Sequence, residues 1–174
     1  MRKVFQGHDF SEEIRGTNNR DIIHGLAGDD KLIGRGGNDK IYGDEGRDKL
    51  FGGTGHDRLE GGSGRDSFLF KELDDAHSDK IADFKHGTDR IGLDVFIFDE
   101  LGLGAVSTNN FVEGTAALDA DDFLIFDPET QKLYYDADGS GGGAQILLAD
   151  IRLRGEDKVL TADDLFVFEP QSGP

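Results

Sequence analysis

From residue 16 onward the buried-type positions of the chain recur every nine residues: Ile23, Leu32, Ile41, Leu50, Leu59 and Phe68. Each belongs to one nonapeptide in the run GTNNRDIIH, GLAGDDKLI, GRGGNDKIY, GDEGRDKLF, GGTGHDRLE, GGSGRDSFL. Gly16, Gly25, Gly34, Gly43, Gly52 and Gly61 open the six units. At a background Gly frequency of ~0.07, that phasing has chance odds on the order of 10⁻⁷. A strict nine-residue period is a signature of stacked repeats rather than of an amphipathic helix or an alternating strand. The Gly-rich first six residues of a unit suit a tight turn, and the last three suit a short strand with one inward side chain. Two units then complete a coil of eighteen residues, so the turns on one edge belong to units i and i+2.

The polar pattern is as regular as the apolar one. Asp21, Asp30, Asp39, Asp48, Asp57 and Asp66 hold the sixth place of every unit. A purely structural repeat needs the glycines and the apolar residues, but not an invariant carboxylate. Stacked strands lie roughly 4.7–4.9 Å apart, and calcium takes oxygen ligands at about 2.3–2.6 Å. An ion between two stacked turns therefore finds opposing oxygens at the right separation. Magnesium wants a tighter octahedron, at about 2.0–2.1 Å, and all-oxygen ligation disfavours zinc. One apolar side chain per nine residues is a thin core, and rows of Asp repel each other. Calcium binding is expected to supply folding free energy to a repeat region that is largely unfolded without it.

These units resemble the GGxGxDxUx nonapeptide of the RTX, or hemolysin-type calcium-binding, family, which includes serralysin-type protease tails and alginate epimerase R-modules. The resemblance implies an all-β fold, a right-handed parallel β-roll over residues 16–70. It implies calcium ligation by the six repeat aspartates. It also implies ligation by turn carbonyls of the first place (Gly16, Gly25, Gly34, Gly43, Gly52, Gly61) and the third place (Asn18, Ala27, Gly36, Glu45, Thr54, Ser63). Pairing units 1–3, 2–4, 3–5 and 4–6 gives four enclosed sites, for an expected total of about four or five Ca2+ ions. Residues 7–15 read as a degenerate unit with Glu12 in the Asp place and Ile14 in the apolar one, so 1–15 is expected to cap the roll or add a weaker site. The first full unit departs most, with Asn18 and Asn19 where later units carry Gly.

Residues 71–174 are expected to form a β-rich cap that covers the open end of the roll, since an uncovered strand edge invites aggregation. SDKIADFKHGTDRIGL is similar to the stretch that follows the roll in serralysin tails, with Asp79, Asp83 and Asp89 matching its acids. Those three either satisfy turn N–H groups or close a last calcium site. LDADDFLIFD at 118–127 recurs as LTADDLFVFE at 160–169, each an acidic helical turn running into an apolar strand, with Thr161 and Asp164 suiting a capping box. KLYYDAD, GSGGG and AQILLADI read as a hairpin. Asp136, Asp138 and Ser140 resemble the start of an EF-hand loop, but Leu147 stands where its bidentate Glu is needed, so a Gly-rich turn is the better reading. The ending is similar to RTX tails that serve as folding nucleus and uncleaved secretion signal, although Gln171–Pro174 lacks their apolar finish.

Composition narrows the function. Lys plus Arg number 19 against 36 Asp plus Glu, a formal charge of -17, which argues against nucleic acid as a partner. There is no cysteine, hence no disulfide and no thiolate metal site. No window approaches the roughly 18 apolar residues of a membrane span, and Met1–Phe10 has no signal-peptide pattern. The five histidines, His8, His24, His56, His77 and His86, show no H-E-x-x-H spacing, and neither a G-x-S-x-G elbow nor a P-loop occurs. A non-enzymatic, secreted, extracellular module is expected, exported by type I secretion machinery and folded by calcium outside. The alternative is an extracellular polysaccharide-binding or adhesin module, which needs a basic or aromatic stripe on one face. Lys31 and Lys49 fall on one side and Lys40 and Arg58 on the other, where neutralising nearby Asp is the simpler role.

Overall fold

The computed structural model describes residues 2–73, 78–139, 143–155 and 158–170. Their strands, in chain order, are β1 (Val4–Gln6), β2 (Glu13–Arg15), β3 (Ile22–Ala27), β4 (Lys31–Gly36), β5 (Lys40–Gly46), β6 (Lys49–Thr54), β7 (Arg58–Gly64) and β8 (Ser67–Phe70). They continue as β9 (Asp79–Lys85), β10 (Arg90–Asp94), β11 (Gly104–Ala105), β12 (Phe111–Glu113), β13 (Leu124–Asp127), β14 (Lys132–Tyr135), β15 (Ile146–Arg154) and β16 (Leu165–Phe168). From β1 to β10, successive strands alternate between two sheets. One runs β1-β3-β5-β7-β9-β15-β14-β13-β12 and the other β11-β16-β10-β8-β6-β4-β2. Through the repeats every pairing is parallel. This is a parallel β-roll, with units i and i+2 stacked as the nine-residue period requires.

The register explains the core. In one sheet Ile23 faces Ile41, then Leu59, Ile81 and Ile151. In the other Ile14 is followed by Leu32, Leu50, Phe68, Ile91 and Leu165. From Ile23 to Ile91 the members of both stacks are fully buried. Each unit thus places its single apolar side chain directly over that of the unit two before it, and the two rows meet between the sheets.

The sheets cross both boundaries drawn from the sequence. Strands β1 and β2 are already roll strands, paired with β3 and β4. Beyond Phe70, β9 and β10 stack on β7 and β8, and β15 and β16 stack on β9 and β10. Four strands of residues 71–174 thus extend the roll. The coil merely lengthens, from eighteen residues between stacked aspartates to twenty-two and twenty-three, which destroys the sequence phase while keeping the apolar stack. Residues 95–145 are inserted between two coils. Their strands β13 and β14 build an antiparallel extension on β15, and β11 covers the edge of β16. The β14–β15 pair is the expected hairpin, and Ser140–Gly142 of its loop lie outside the described residues. Thr161 and Asp164 form the expected capping box, leading into β16. The matching segment at 118–127 makes a turn instead, in which Asp122 accepts from the N–H groups of Leu118 and Asp119. Gln171–Pro174 lie outside the described residues, and among those described no helix is long and apolar enough to cross a membrane.

The turns stack as tightly as the strands. The fourth-place glycines take positive φ, as in Gly46 at 136° and Gly64 at 135°. A Cβ on Gly46 would overlap the Gly28 carbonyl of the preceding turn. The second place is also left-handed, and there Leu26, Arg35 and Asp44 bear positive φ without being glycine. Gly46→Ala combines backbone strain with a backbone clash and is expected to cost more than about 2 kcal/mol. Gly87→Ala, left-handed but with open space around its Cβ, is expected to cost about 1 kcal/mol. Denaturant unfolding in saturating calcium measures both, and equal losses would show that the turns are not in close contact.

Candidate metal sites

Each tight turn ends on its sixth-place Asp, whose short side chain points along the stack rather than out to solvent. The N–H of Asp21 donates to Oδ1 of Asp39 (2.7 Å), Asp30 to Asp48 (2.8 Å), Asp39 to Asp57 (2.7 Å) and Asp48 to Asp66 (3.0 Å). The ladder continues past the repeats: Asp57 donates to Asp79 (3.0 Å) and Asp66 to Asp89 (3.1 Å). It begins before them as well, with Glu12 N–H on Asp30 and Lys3 N–H on Asp21. All six repeat aspartates are buried. One oxygen of each is thus committed to the backbone of the coil before it.

The other oxygen is not. Oδ2 of Asp30, Asp39, Asp48, Asp57 and Asp66 is buried with no hydrogen-bond partner. Such an atom carries a large desolvation penalty unless something compensates it. The space it faces is defined by the first-place glycine of its own unit. A Cβ built on Gly25 would lie 2.6 Å from both Asp30 Oδ2 and the Gly43 carbonyl oxygen. Gly34 has the same relation to Asp39 and the Gly52 carbonyl, and Gly43 to Asp48 and the Gly61 carbonyl. An orphaned carboxylate oxygen and a first-place carbonyl two units on therefore flank one small gap, at the stacking distance of the turns.

Electrostatics makes the gap a cation site. Burial, followed by the charges of stacked neighbours, pushes the carboxyl of Asp39 up to about 6, Asp48 to about 7, Asp57 to about 8 and Asp66 to about 6. Asp30 is raised too. Among the described residues no three His, Cys, Asp or Glu side chains gather into one centre. A bound ion must take most of its oxygens from the backbone, which suits a hard cation with flexible coordination. The third-place residues line up in register, Ala27 with Glu45 and Ser63, and Gly36 with Thr54. The Glu45 and Thr54 carbonyls each accept one turn N–H, from Gly28 and Gly37, and keep a second lone pair.

The first unit differs in a way that its sequence hints at. Thr17 donates both its N–H and its hydroxyl to Asp21 Oδ2, each at 2.7 Å. Asn19 replaces the left-handed glycine, and neither Thr17 nor Asn19 has positive φ. Asp21 is accordingly lowered rather than raised: the hydrogen bonds from Thr17 and Lys3 outweigh its burial. Asn18 lies in this altered turn, while Gly16 keeps the first-place relation to Asp21 and the Gly34 carbonyl. Glu12 stands in the Asp place, its Oε1 accepting from His8 N–H and lying near the gap at Gly7.

The three flanking acids divide. Asp79 and Asp89 occupy the sixth place of the lengthened coil, and Asp89 Oδ2 also accepts from Lys85 N–H. Asp83 accepts from Gly61 and Gly62 N–H, one per oxygen, so it closes the last turn of its column. Two of the seventh-place cations pair away from the ladder. Lys31 pairs with Glu13 and Arg58 with Glu60, because the repeat aspartates point into the stack.

The model of the RTX calcium-binding nonapeptide repeat matches the chain in four copies, over residues 6–41, 15–50 and 33–68. The matched residues carry the RTX calcium-binding nonapeptide repeat. Calcium is the ion of these RTX repeats, in agreement with the donor set just described. Among solved structures, the AlgE6R3 subunit of the Azotobacter vinelandii mannuronan C5-epimerase is similar, with 29% identity over 91% of this chain and 79% of that one. The TM-score of the two is 0.35. No curated protein sequence matches the chain significantly.

Asp48 stacks on both Asp30 and Asp66, and its Oδ2 is an orphan, whereas Asp21 Oδ2 is already satisfied. Asp48→Ala is expected to remove up to two calcium equivalents from the RTX stack, and Asp21→Ala at most one, with a smaller rise in the calcium midpoint. Isothermal titration of both variants decides this, and equal losses would contradict the stacking of sites.

Proposed function

We propose that this RTX chain is a calcium-switched folding module of a protein exported by type I secretion, disordered where calcium is scarce and folded outside the cell. The observation that carries the reading is the set of five buried, unpartnered carboxylate oxygens in an otherwise satisfied stack. Without a cation these groups oppose folding; with one they become ligands that bind only the folded chain. Extracellular calcium modules bind at about 10⁻⁴–10⁻³ M, which suits a switch between the two compartments. Residues 71–174 act in this reading as the part that completes the roll and carries the export signal, and the chain works without catalysis. The four sites between stacked repeats are its core ligand set.

A second reading is favoured by one surface feature. On the sheet that contains β4, β6, β8 and β10, a groove of about 290 Å³ is lined by three cations, Lys31, Lys49 and Lys71, and one acid, Glu169, around Phe51, Leu69, Phe166 and Phe168. Lys71 lies 4.8 Å from the Phe51 ring centroid, and Arg90 lies 5.4 Å from that of Phe166. Cations beside aromatic faces, on a chain of net charge -17, fit an acidic extracellular polysaccharide, whose sugar rings stack on the aromatics while its carboxylates meet the lysines.

Circular dichroism tests the first reading. Adding millimolar calcium is expected to convert coil to β-structure, and equal magnesium is not. A complete β-spectrum in excess chelator, with metal analysis confirming depletion, would refute it. For the second reading, the Lys49→Glu, Lys71→Glu double variant is expected to lose salt-sensitive binding to alginate in calcium while keeping its fold. Absent binding by the parent chain would dismiss the polysaccharide.

A further inference from the structure

The two outer faces of the roll differ in kind. On the sheet of β3, β5, β7 and β9, the row Lys40, Arg58, Lys80 is cationic and the row His24, Tyr42, Glu60 is polar. On the other sheet, Lys31 and Lys49 run beside an apolar row in which Ile33 faces Phe51, and Leu69 and Phe166 both face Gly92. A Cβ on Gly92 would collide with the side chains of Leu69 and Phe166. These two therefore close over the glycine and form the floor of the groove that Lys49 and Lys71 border. Parallel sheets are ordinarily covered on both faces, yet Phe166 and Phe168 remain only half-buried here. Lys31 is paired with Glu13, so the charge that an occupant meets is that of Lys49 and Lys71.

The complement of this groove stands elsewhere on the chain. Residues 118–122, LDADD, have the pattern of residues 160–164, LTADD. In the later copy Leu160 is 2% exposed, and Asp164 seats the turn on the roll by accepting from Gly87 N–H. In the earlier copy the equivalent Leu118 is 77% exposed, more than any other large apolar side chain among the described residues. A lone exposed leucine is ordinary, but this one is held in place. Asp122 accepts the N–H groups of Leu118 (2.8 Å) and Asp119 (3.1 Å), and Asn110 Nδ2 donates to the Asp121 carbonyl (3.0 Å). The Ala120 backbone abuts Gly139. Asp119 and Asp121 flank the leucine with exposed carboxylates. This knuckle leads into β13, in the extension of one sheet, whereas the groove lies on the outer face of the other.

We propose that the 118–122 knuckle of one molecule plugs the groove of a second copy of this chain, with Leu118 on the Leu69–Phe166 floor and Asp119 and Asp121 against Lys49 and Lys71. Charge complementarity selects this occupant. On a chain of net charge -17 most surfaces of two copies repel, and contact is favoured where the basic groove meets an acidic projection. Plug and groove are different patches, so the contact is heterologous, and copies add head to tail instead of stopping at a pair. One leucine and two carboxylates bury far less than the roughly 1,200 Å² of a standard stable interface. The contact is therefore weak, salt-sensitive and confined to high local concentration. It goes beyond the folding reading and needs calcium only to keep the roll folded. The plug and an acidic polysaccharide offer the groove the same chemistry, a carboxylate beside an apolar body, so each excludes the other.

Sedimentation velocity of the full chain in saturating calcium, from micromolar to millimolar protein, tests the contact. Asp119→Lys with Asp121→Lys reverses the plug, and Lys49→Glu with Lys71→Glu reverses the groove; Leu118→Ser removes the apolar tip without changing charge. Far-ultraviolet dichroism checks the fold of each. The parent's sedimentation coefficient is expected to rise with concentration at low salt and to stay flat at high salt. Each variant alone is expected to lose the rise. An equimolar mixture of the two charge reversals is expected to regain it, because reversed plug then meets reversed groove and native plug meets native groove. Folded variants that still associate, or a mixture that does not, would overturn the contact while leaving the calcium sites standing. A parent that stays monomeric would overturn it too, and alginate binding by that monomer would assign the groove to the polysaccharide.

Discussion

Everything in this roll depends on how a sixth-place aspartate divides its two oxygens. One oxygen accepts the N–H of the aspartate a coil earlier, which fixes the register of the turns and passes it along the stack. The other is buried and left for a cation. Neither half is dispensable. Without the backbone bond the turns lose one of the contacts that align them, and without the ion the bond brings unpaired negative charge into a dry stack. The glycines serve this arrangement. Those of the first place leave room for the orphaned oxygen, and those of the fourth allow successive turns to touch backbone to backbone.

The apolar stack alone is a thin scaffold, one fully buried residue per unit in two rows. The C-terminal strands thicken it. Past β8, the core broadens to include Phe84, Phe98, Leu124, Phe126, Leu133 and Tyr135. Asp164 ties this layer to the roll by accepting from Gly87 N–H at 3.0 Å and standing 2.7 Å from His86 Nδ1. The calcium-dependent repeats and the conventional core are thus one continuous pair of sheets, which gives a physical route by which ion binding in the turns and packing in the C-terminal region support each other.

The sequence was legible where its period was unbroken. The inward residues, the i, i+2 stacking and the six ladder aspartates follow from nine-residue spacing alone. Legibility ended where loop length changed. Ile81 and Ile91 continue the apolar stacks, but four or five added residues per coil hide them, and Ile151 is separated from them by an inserted segment. Long-range groupings were equally hidden: the groove on the second sheet joins Lys31 to Phe168. Thr17 shows a third limit. Only the folded turn reveals that its hydroxyl satisfies the oxygen that every later unit leaves free. The left-handed second place is signalled by glycine only in the last two units, at Gly53 and Gly62, and is hidden where Leu26, Arg35 and Asp44 occupy it.

The central claim, that buried ladder carboxylates oppose folding until a cation joins them, has a direct signature in the metal-free chain. Their native pKa values, about 6 to about 8 for Asp39, Asp48, Asp57 and Asp66, lie above the unfolded value of about 3.9. The folded state therefore binds more protons, so metal-free stability is greatest below about pH 4 and is lost as pH rises through about 6 to 8. The deciding measurement is far-ultraviolet dichroism in excess chelator across pH 4 to 9, repeated with saturating calcium. The account predicts roll structure that fades with rising pH in chelator and persists at neutral pH in calcium. A metal-free chain that keeps its full β-spectrum at pH 8 would contradict it.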